Sequence, residues 1–221
     1  MLLPYAQVPI AELSGPKYFT IFGVDPGTVT FGTAALHVDI ETLQVAGLEM
    51  RTLNANKPSA GRLVNEWMTE THSDRAVRMR ELAWMLGAQL VYFRPLYVAS
   101  EAAFYDRLHP NAYGPLVECV KTVENTVYAW NAWRPLFRIE TTVAKAAIAP
   151  ETKELKQEFK ELSKSKALPT SKAKVLWCAQ RHSEFSKIIA SVPFDEHSLD
   201  AAVVAYAQLL RIRQGNFEIT F

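Results

Sequence analysis

Short apolar runs alternate with polar breaks through the first quarter of the chain. Residues 18–25 (YFTIFGVD), 30–39 (TFGTAALHVD) and 44–53 (QVAGLEMRTL) are rich in β-branched and apolar residues, with turn-forming residues between them. They predict a three-strand meander. The period then lengthens. Residues 74–93 place Val77, Leu82, Met85, Leu86 and Leu90 at helical spacing, with Asp74 as the expected N-cap and Pro95 just beyond the end. Residues 96–102 (LYVASEA) read as a buried strand, 112–132 as a long helix and 136–141 (LFRIET) as a short strand. Helical patterns follow at 151–168, 171–190 and 196–213, while 54–73 is polar and fits no single element. The order βββαβαβα, then helices, predicts an α/β fold with a central mixed five-stranded sheet flanked by helices. Residues 1–17 read as an arm, 18–213 as one domain, and 214–221 (with NFEITF) as a frayed tail or an added edge strand.

Composition narrows the class. The 221 residues are 49% hydrophobic and 21% charged, enough apolar material for a sizeable core and against overall disorder. Cys119 and Cys178 sit in apolar helical stretches and read as small buried hydrophobes in a reducing compartment. No Cys/His cluster has zinc spacing. The N-terminus lacks a basic region followed by an apolar run, and Leu82 to Phe93 is too short to cross a bilayer. A cytoplasmic protein with no membrane partner is expected.

Carboxylates stand at the ends of predicted strands. In TIFGVDPGTVTFG (residues 20–32), Asp25 closes an apolar run and Pro26 and Gly27 follow. Alone, this is an ordinary strand-ending turn. Glu101 closes LYVASEA, and a carboxylate at the end of a buried strand is costly unless paired or bound to a cation. In PFDEHSLDAAVVAYAQLL (residues 193–210), Asp195 reads as the N-cap of the last helix, Ser198 as its partner, and Glu196 as a first-turn acid. Asp200 has no such role. It lies among Leu199, Ala201, Ala202 and Val203 on the expected sheet-facing side, with His197 three residues earlier on the same side. Three carboxylates and an imidazole suit Mg²⁺ or Mn²⁺. Two such ions about 4 Å apart would serve phosphodiester cleavage. The nearby glycines are expected to keep bulk away from the scissile phosphate.

GVDPGTVTFG, ASEAAF, IETTVAKAAIA, PTSKAKVLW and DEHSLDAA, in that order, resemble the motifs of the RuvC family of Holliday junction resolvases, in the RNase H-like (retroviral integrase) superfamily. The resemblance spans residues 18–210 and implies an RNase H-like fold. It implies Asp25, Glu101 and Asp200 as catalytic metal ligands, with His197 where many members carry Asp. Phe104 falls where the family often has an aromatic that stacks on an unpaired base. Lys145 and Lys172, with Lys174 as neighbour, take phosphate-contacting roles. NAYGPLVECVKTVENTVYAW resembles the family's dimer helix. The implied activity is a structure-selective endonuclease of DNA recombination and repair, a homodimer making paired nicks in four-way junctions and other branched DNA, with two Mg²⁺ or Mn²⁺ per site. The arm and a charged helical insertion at 151–168 mark a divergent form, similar to phage-encoded members acting in a host cytoplasm.

Net charge sharpens one region. From Arg134 to Lys174, ten Lys and Arg stand against five Glu, a local +5 in a chain of net +1. The excess suits a phosphate-facing side. For 151–168 alone, a solvated helix laced with Glu–Lys pairs explains the charge as well. Phe104 also reads as a core aromatic, and the apolar residues of 112–132 (Leu116, Cys119, Val120, Val123, Val127, Trp130) as plain core. Actin/hexokinase-like ATPases share the strand–Asp–x–Gly–Thr opening, but nine glycines with no cluster after residue 114 count against them. A nuclease acting on RNA–DNA hybrids, and a non-catalytic DNA-binding protein on the same fold, stand as further readings.

Overall fold

Strand β1 (Tyr18–Pro26) is buried on both faces, as the middle strand of a covered sheet must be. The computed structural model describes residues 17–55, 73–104 and 110–215. Residues 1–16 of the expected arm, 56–72 and the tail 216–221 lie outside the described residues. β1 pairs antiparallel with β2 (Thr30–Asp39), and β2 with β3 (Val45–Asn54), giving the expected meander. On its other side β1 runs parallel to β4 (Tyr97–Glu101), and β4 parallel to β5 (Leu136–Ile139). The sheet is five-stranded and mixed, in the order β3-β2-β1-β4-β5.

Helices cover both faces. In chain order they are α1 (Asp74–Phe93), α2 (Tyr113–Trp130), α3 (Thr141–Ala147), α4 (Lys153–Lys164), α5 (Ser171–Arg181), α6 (Phe185–Ile189) and α7 (Glu196–Arg213). Side chains alternate along a strand, so β1 feeds two cores. Phe22 and Val24 join Phe31, Val98, Leu82, Leu86 and Val123 beneath α1 and α2. Phe19 and Ile21 join Leu36, Ala99 and Ile139 beneath α7, α5 and α6. Cys119, Val120, Val123 and Val127 of α2 are buried core, and both cysteines are buried thiols with pKa raised by burial.

Three expectations are corrected. The N-cap of α1 is Ser73, whose hydroxyl accepts from the Ala76 amide; Asp74 is the first helical residue. The single helix expected over 171–190 is two, α5 and α6. The His182 ring breaks it, its Nδ1 accepting from the amides of Glu184 and Phe185 at 3.3 and 3.2 Å. The third concerns the glycines. A Cβ added at Gly23 would fall 2.1 Å from the Ala201 carbonyl oxygen, and one at Gly32 would fall 1.9 Å from that of His197. Their bareness makes room for the backbone of α7, and Gly27 makes room for the Thr30 carbonyl across its own turn. Gly23 and Gly32 therefore serve close packing of α7 rather than clearance for a phosphate.

α7 is held at both ends by the β2–β3 hairpin. At its start Asp195 forms the expected capping box with Ser198, and the Thr52 hydroxyl of β3 donates to Asp195 Oδ1 at 2.6 Å. At its end the Arg213 guanidinium donates to the Leu43 carbonyl (2.8 and 3.0 Å) and to both oxygens of Glu184 (2.7 and 2.8 Å).

Gly32→Ala is expected to cost about 3 kcal/mol or more, since the clash is with backbone and no rotamer relieves it. Urea unfolding of wild type and variant measures this; an unchanged midpoint would overturn the close-approach account.

Candidate active site

Strand parity places the first two acids. Phe19, Ile21 and Gly23 face α7, so Asp25 does too. Tyr97 and Ala99 share that core, so Glu101 points the same way. Val24 pairs with Ser100 in parallel register, which sets Asp25 and Glu101 side by side on neighbouring strands. Above them the low-lying α7 brings His197 and Asp200, three residues apart on one helix face. All four line one cavity of about 270 Å³, with Phe104, Lys145 and Lys172 also on its wall. Ala144, Val175, Val203 and Val204 supply an apolar side.

Of the eight residues singled out in the sequence, the fold gathers seven here. Lys174 is half-buried on α5 and is not part of the lining. Phe104 is 50% exposed at the cavity, which excludes the core reading. Two polar residues escaped the sequence reading. The Thr141 hydroxyl donates to Glu101 Oε1, and Ser171 Oγ accepts from the Lys145 ammonium at 2.8 Å. Thr141 stands in the quoted segment IETTVAKAAIA, but a threonine carries no signal there until the start of α3 is seen to adjoin the end of β4. Glu196, read as a first-turn acid, is that, and also meets Lys172 Nζ at 2.5 Å.

Crowding of carboxylates in a half-dry cavity shapes their protonation. Burial pushes Glu101 up to about 7, the Thr141 hydrogen bond opposes this, and the neighbouring Asp25 and Asp200 reinforce it. Burial, then the charge of Asp25, pushes Asp200 up to about 6, against Lys172, Lys145 and His197. His197 Nδ1 lies 3.4 Å from Asp25 Oδ2, and that contact raises the imidazole pKa.

As the side chains stand, no group of three or more His, Cys, Asp or Glu among the described residues converges closely enough to hold a metal ion. The donor set still fits a hard divalent cation. It offers carboxylate oxygens from three elements and one imidazole. Glu101 and Asp200 are raised by burial first and by the neighbouring Asp25 charge after it, so a bound cation would favour their ionised forms.

No protein-family model matches the chain, and no curated protein sequence matches it. Solved structures do. Thermus thermophilus RuvC is similar with a TM-score of 0.58 at 18% identity, over 89% of this chain and 97% of that one. The fold is the RNase H-like fold of RuvC. T. thermophilus RuvC in complex with Holliday junction substrate gives a TM-score of 0.57, with the same identity and coverage. The yeast mitochondrial Holliday junction resolvase Ydc2 gives 0.45 at 17% identity, over 92% of this chain and 86% of that one. On the RuvC fold described here, no helix of the described residues is long and apolar enough to cross a membrane.

Glu101 carries a pH prediction. Its folded pKa of about 7 exceeds its ordinary 4.5, so between those values the folded chain holds more protons than the unfolded chain. Its stabilising share is present below the lower value and is lost as pH rises through the upper one. Glu101→Gln is therefore expected to raise the melting temperature of metal-free protein at about pH 8 and to leave it nearly unchanged at about pH 4.5. Thermal unfolding in a chelator checks this; equal shifts at both pH values would refute it.

Proposed function

We propose that this chain is a metal-dependent endonuclease that cuts branched DNA, four-way junctions above all, as a homodimer. The observation that carries the reading is the meeting of Asp25, Glu101, His197 and Asp200 with Lys145 and Lys172 in one cavity of a RuvC fold. A relative of that fold has been seen bound to Holliday junction substrate, which points to the same substrate class here.

Asp25, Glu101, His197 and Asp200 would hold Mg²⁺ or Mn²⁺, two ions per site. Bound there, the ions supply charge neutralisation at the scissile phosphate and a nucleophilic water for hydrolysis. The rest falls to the chain's own groups. Thr141 orients the Glu101 carboxylate through its hydrogen bond. His197 would ligate as the neutral imidazole, which the Asp25 contact disfavours by raising its pKa. Lys145 and Lys172 bind phosphate oxygens. Both are already engaged, with Ser171 and Glu196, in exposed contacts that a phosphate replaces at low cost. Val175, Val203 and Val204 keep one wall dry, which strengthens the electrostatics within. Phe104, exposed at the cavity, stacks on a base opened near the crossover, worth about 1–3 kcal/mol. Lys174 stands beside this surface as a weaker phosphate contact.

The homodimer is supported by the far face. An apolar groove of about 900 Å³ between α1 and α2 is lined by Trp84, Gly87, Val91, Thr126 and Trp130, with Trp84 51% and Val91 59% exposed. Pairing through this face would give two sites related by a two-fold axis, which matches the symmetry of a junction.

With a synthetic four-way junction and Mg²⁺ or Mn²⁺, wild type is expected to make paired, symmetric nicks. Asp200→Asn is expected to bind the junction and to cut it at least about 100-fold more slowly. Binding without cutting by wild type would reduce the reading to a junction-binding protein, and no binding would overturn it. Thr141→Val, which frees Glu101 without removing it, is expected to slow cleavage by about 10–100-fold. An unchanged rate would remove Thr141 from the site.

A further inference from the structure

α4 is the charged segment whose purpose the catalytic cavity does not absorb. Its sequence, KELKQEFKELSK, has two possible layouts: alternating charges that neutralise one another, or charges sorted by face. The structure shows sorting. Leu155, Phe159 and Leu162 pack against the core below α7. At about 3.6 residues per turn, Lys153, Lys156, Lys160 and Lys164 fall on one flank of that apolar stripe, and Glu154, Glu158 and Glu161 on the other.

The two flanks have different neighbours. On the acidic flank Glu158 faces Arg181 of α5 at 3.8 Å, and Glu161 accepts from Gln157 at 2.6 Å. Phe159 packs on Trp177 of α5, ring centroids 5.4 Å apart. All four lysines are exposed, and none makes an ion pair with a described residue. α4 also runs antiparallel to α5. Glu151, before its start, holds the Ser183 amide and hydroxyl at 2.8 Å beyond the end of α5. From Lys164 the chain returns through 165–170 to Ser171, on the cavity wall. The lysine row therefore leads toward the catalytic cavity.

We propose that the lysine flank of α4 is a second backbone-contact surface for duplex DNA, holding one arm of the substrate that the cavity cuts. The proposal rests on the nuclease reading above. From Lys153 to Lys164 the row is about 16 Å long. Phosphates of one strand advance about 3.4 Å along the duplex axis, so the row faces about five of them. Lysines present point charges on flexible stems, without the planar fork that reads base edges. The surface thus adds affinity and salt dependence and no sequence preference. A rigid row of even spacing suits a duplex better than it suits an acidic protein segment of irregular charge.

The test measures binding of a short duplex and of a four-way junction, without divalent metal, by fluorescence anisotropy at salt between about 50 and 200 mM. Lys153→Gln, Lys156→Gln, Lys160→Gln and Lys164→Gln together are expected to weaken binding about 10-fold or more and to lower the salt slope by about 2–3. The double variant Lys156→Gln, Lys160→Gln should give about half that slope change, and it serves if the fourfold variant does not fold by circular dichroism. Glu154→Gln with Glu161→Gln, on the opposite flank, should not lower the slope. Normal DNA binding by wild type with unchanged affinity and slope in the folded lysine variants overturns this proposal alone. Failure of wild type to bind either DNA overturns it together with the nuclease reading.

Discussion

The structure depends on how closely α7 lies on the sheet. Helix backbone meets strand backbone at Gly23 and Gly32, and Ala201 and Ala205 keep the helix side of the contact equally bare. Any side chain at those two strand positions would lift the helix, and with it His197 and Asp200, away from Asp25. The same contact aligns the helix start, so the Asp195 cap can reach Thr52 on β3. A packing constraint and a chemical one are thus met by the same four small residues. This is why the acids can come from three separated segments of chain and still line one small cavity.

Much of this was legible before any coordinates. Apolar and β-branched runs between turn residues marked the meander and the inner strand, and side-chain alternation along them, once the sheet order is known, puts Asp25 and Glu101 on one face. Asp200 stood out because a charge inside an apolar helix face lacks a cheap explanation, and Asp195 was read as a cap because Ser198 stands at the reciprocal position. What was hidden depends on three-dimensional neighbours. The seven residues of α3 are too few to show a period, so Thr141 looked like part of the strand over 136–141, which ends at Ile139. The break at His182 is made by a ring bonding to amides two and three residues on, which no propensity scale encodes. Gly23 and Gly32 looked like substrate clearance because the helix that crosses them comes some 170 residues later in the chain, as the Asp25–His197 contact shows.

The electrostatic layout follows from the same topology. Three acids enter from the sheet and α7, while Lys145 and Lys172 enter from the opposite wall, on α3 and α5. Negative charge is half-buried on strand ends and α7, and positive charge sits on exposed stems that can follow a ligand. The raised protonation of Glu101 and Asp200 is the cost of keeping such acids half-dry. It is consistent with an apo site whose stability is set below what the same fold would have with neutral side chains there.

The two fastenings of α7 tie it to one part of the sheet. Thr52 with Asp195 at one end, and Arg213 with Leu43 at the other, fasten the helix to a single hairpin, so the helix, the hairpin and the β1 strand that pairs with it form one plate carrying Asp25, His197 and Asp200. The facing wall is joined to this plate near the cavity by the exposed Lys172–Glu196 pair. That wall is tied to the acids a second way, because α3 and α5 share the buried core beneath α7 and Thr141 of α3 holds Glu101. A substitution that loosens α3 or α5 would therefore be felt at Glu101 as well as at the two lysines.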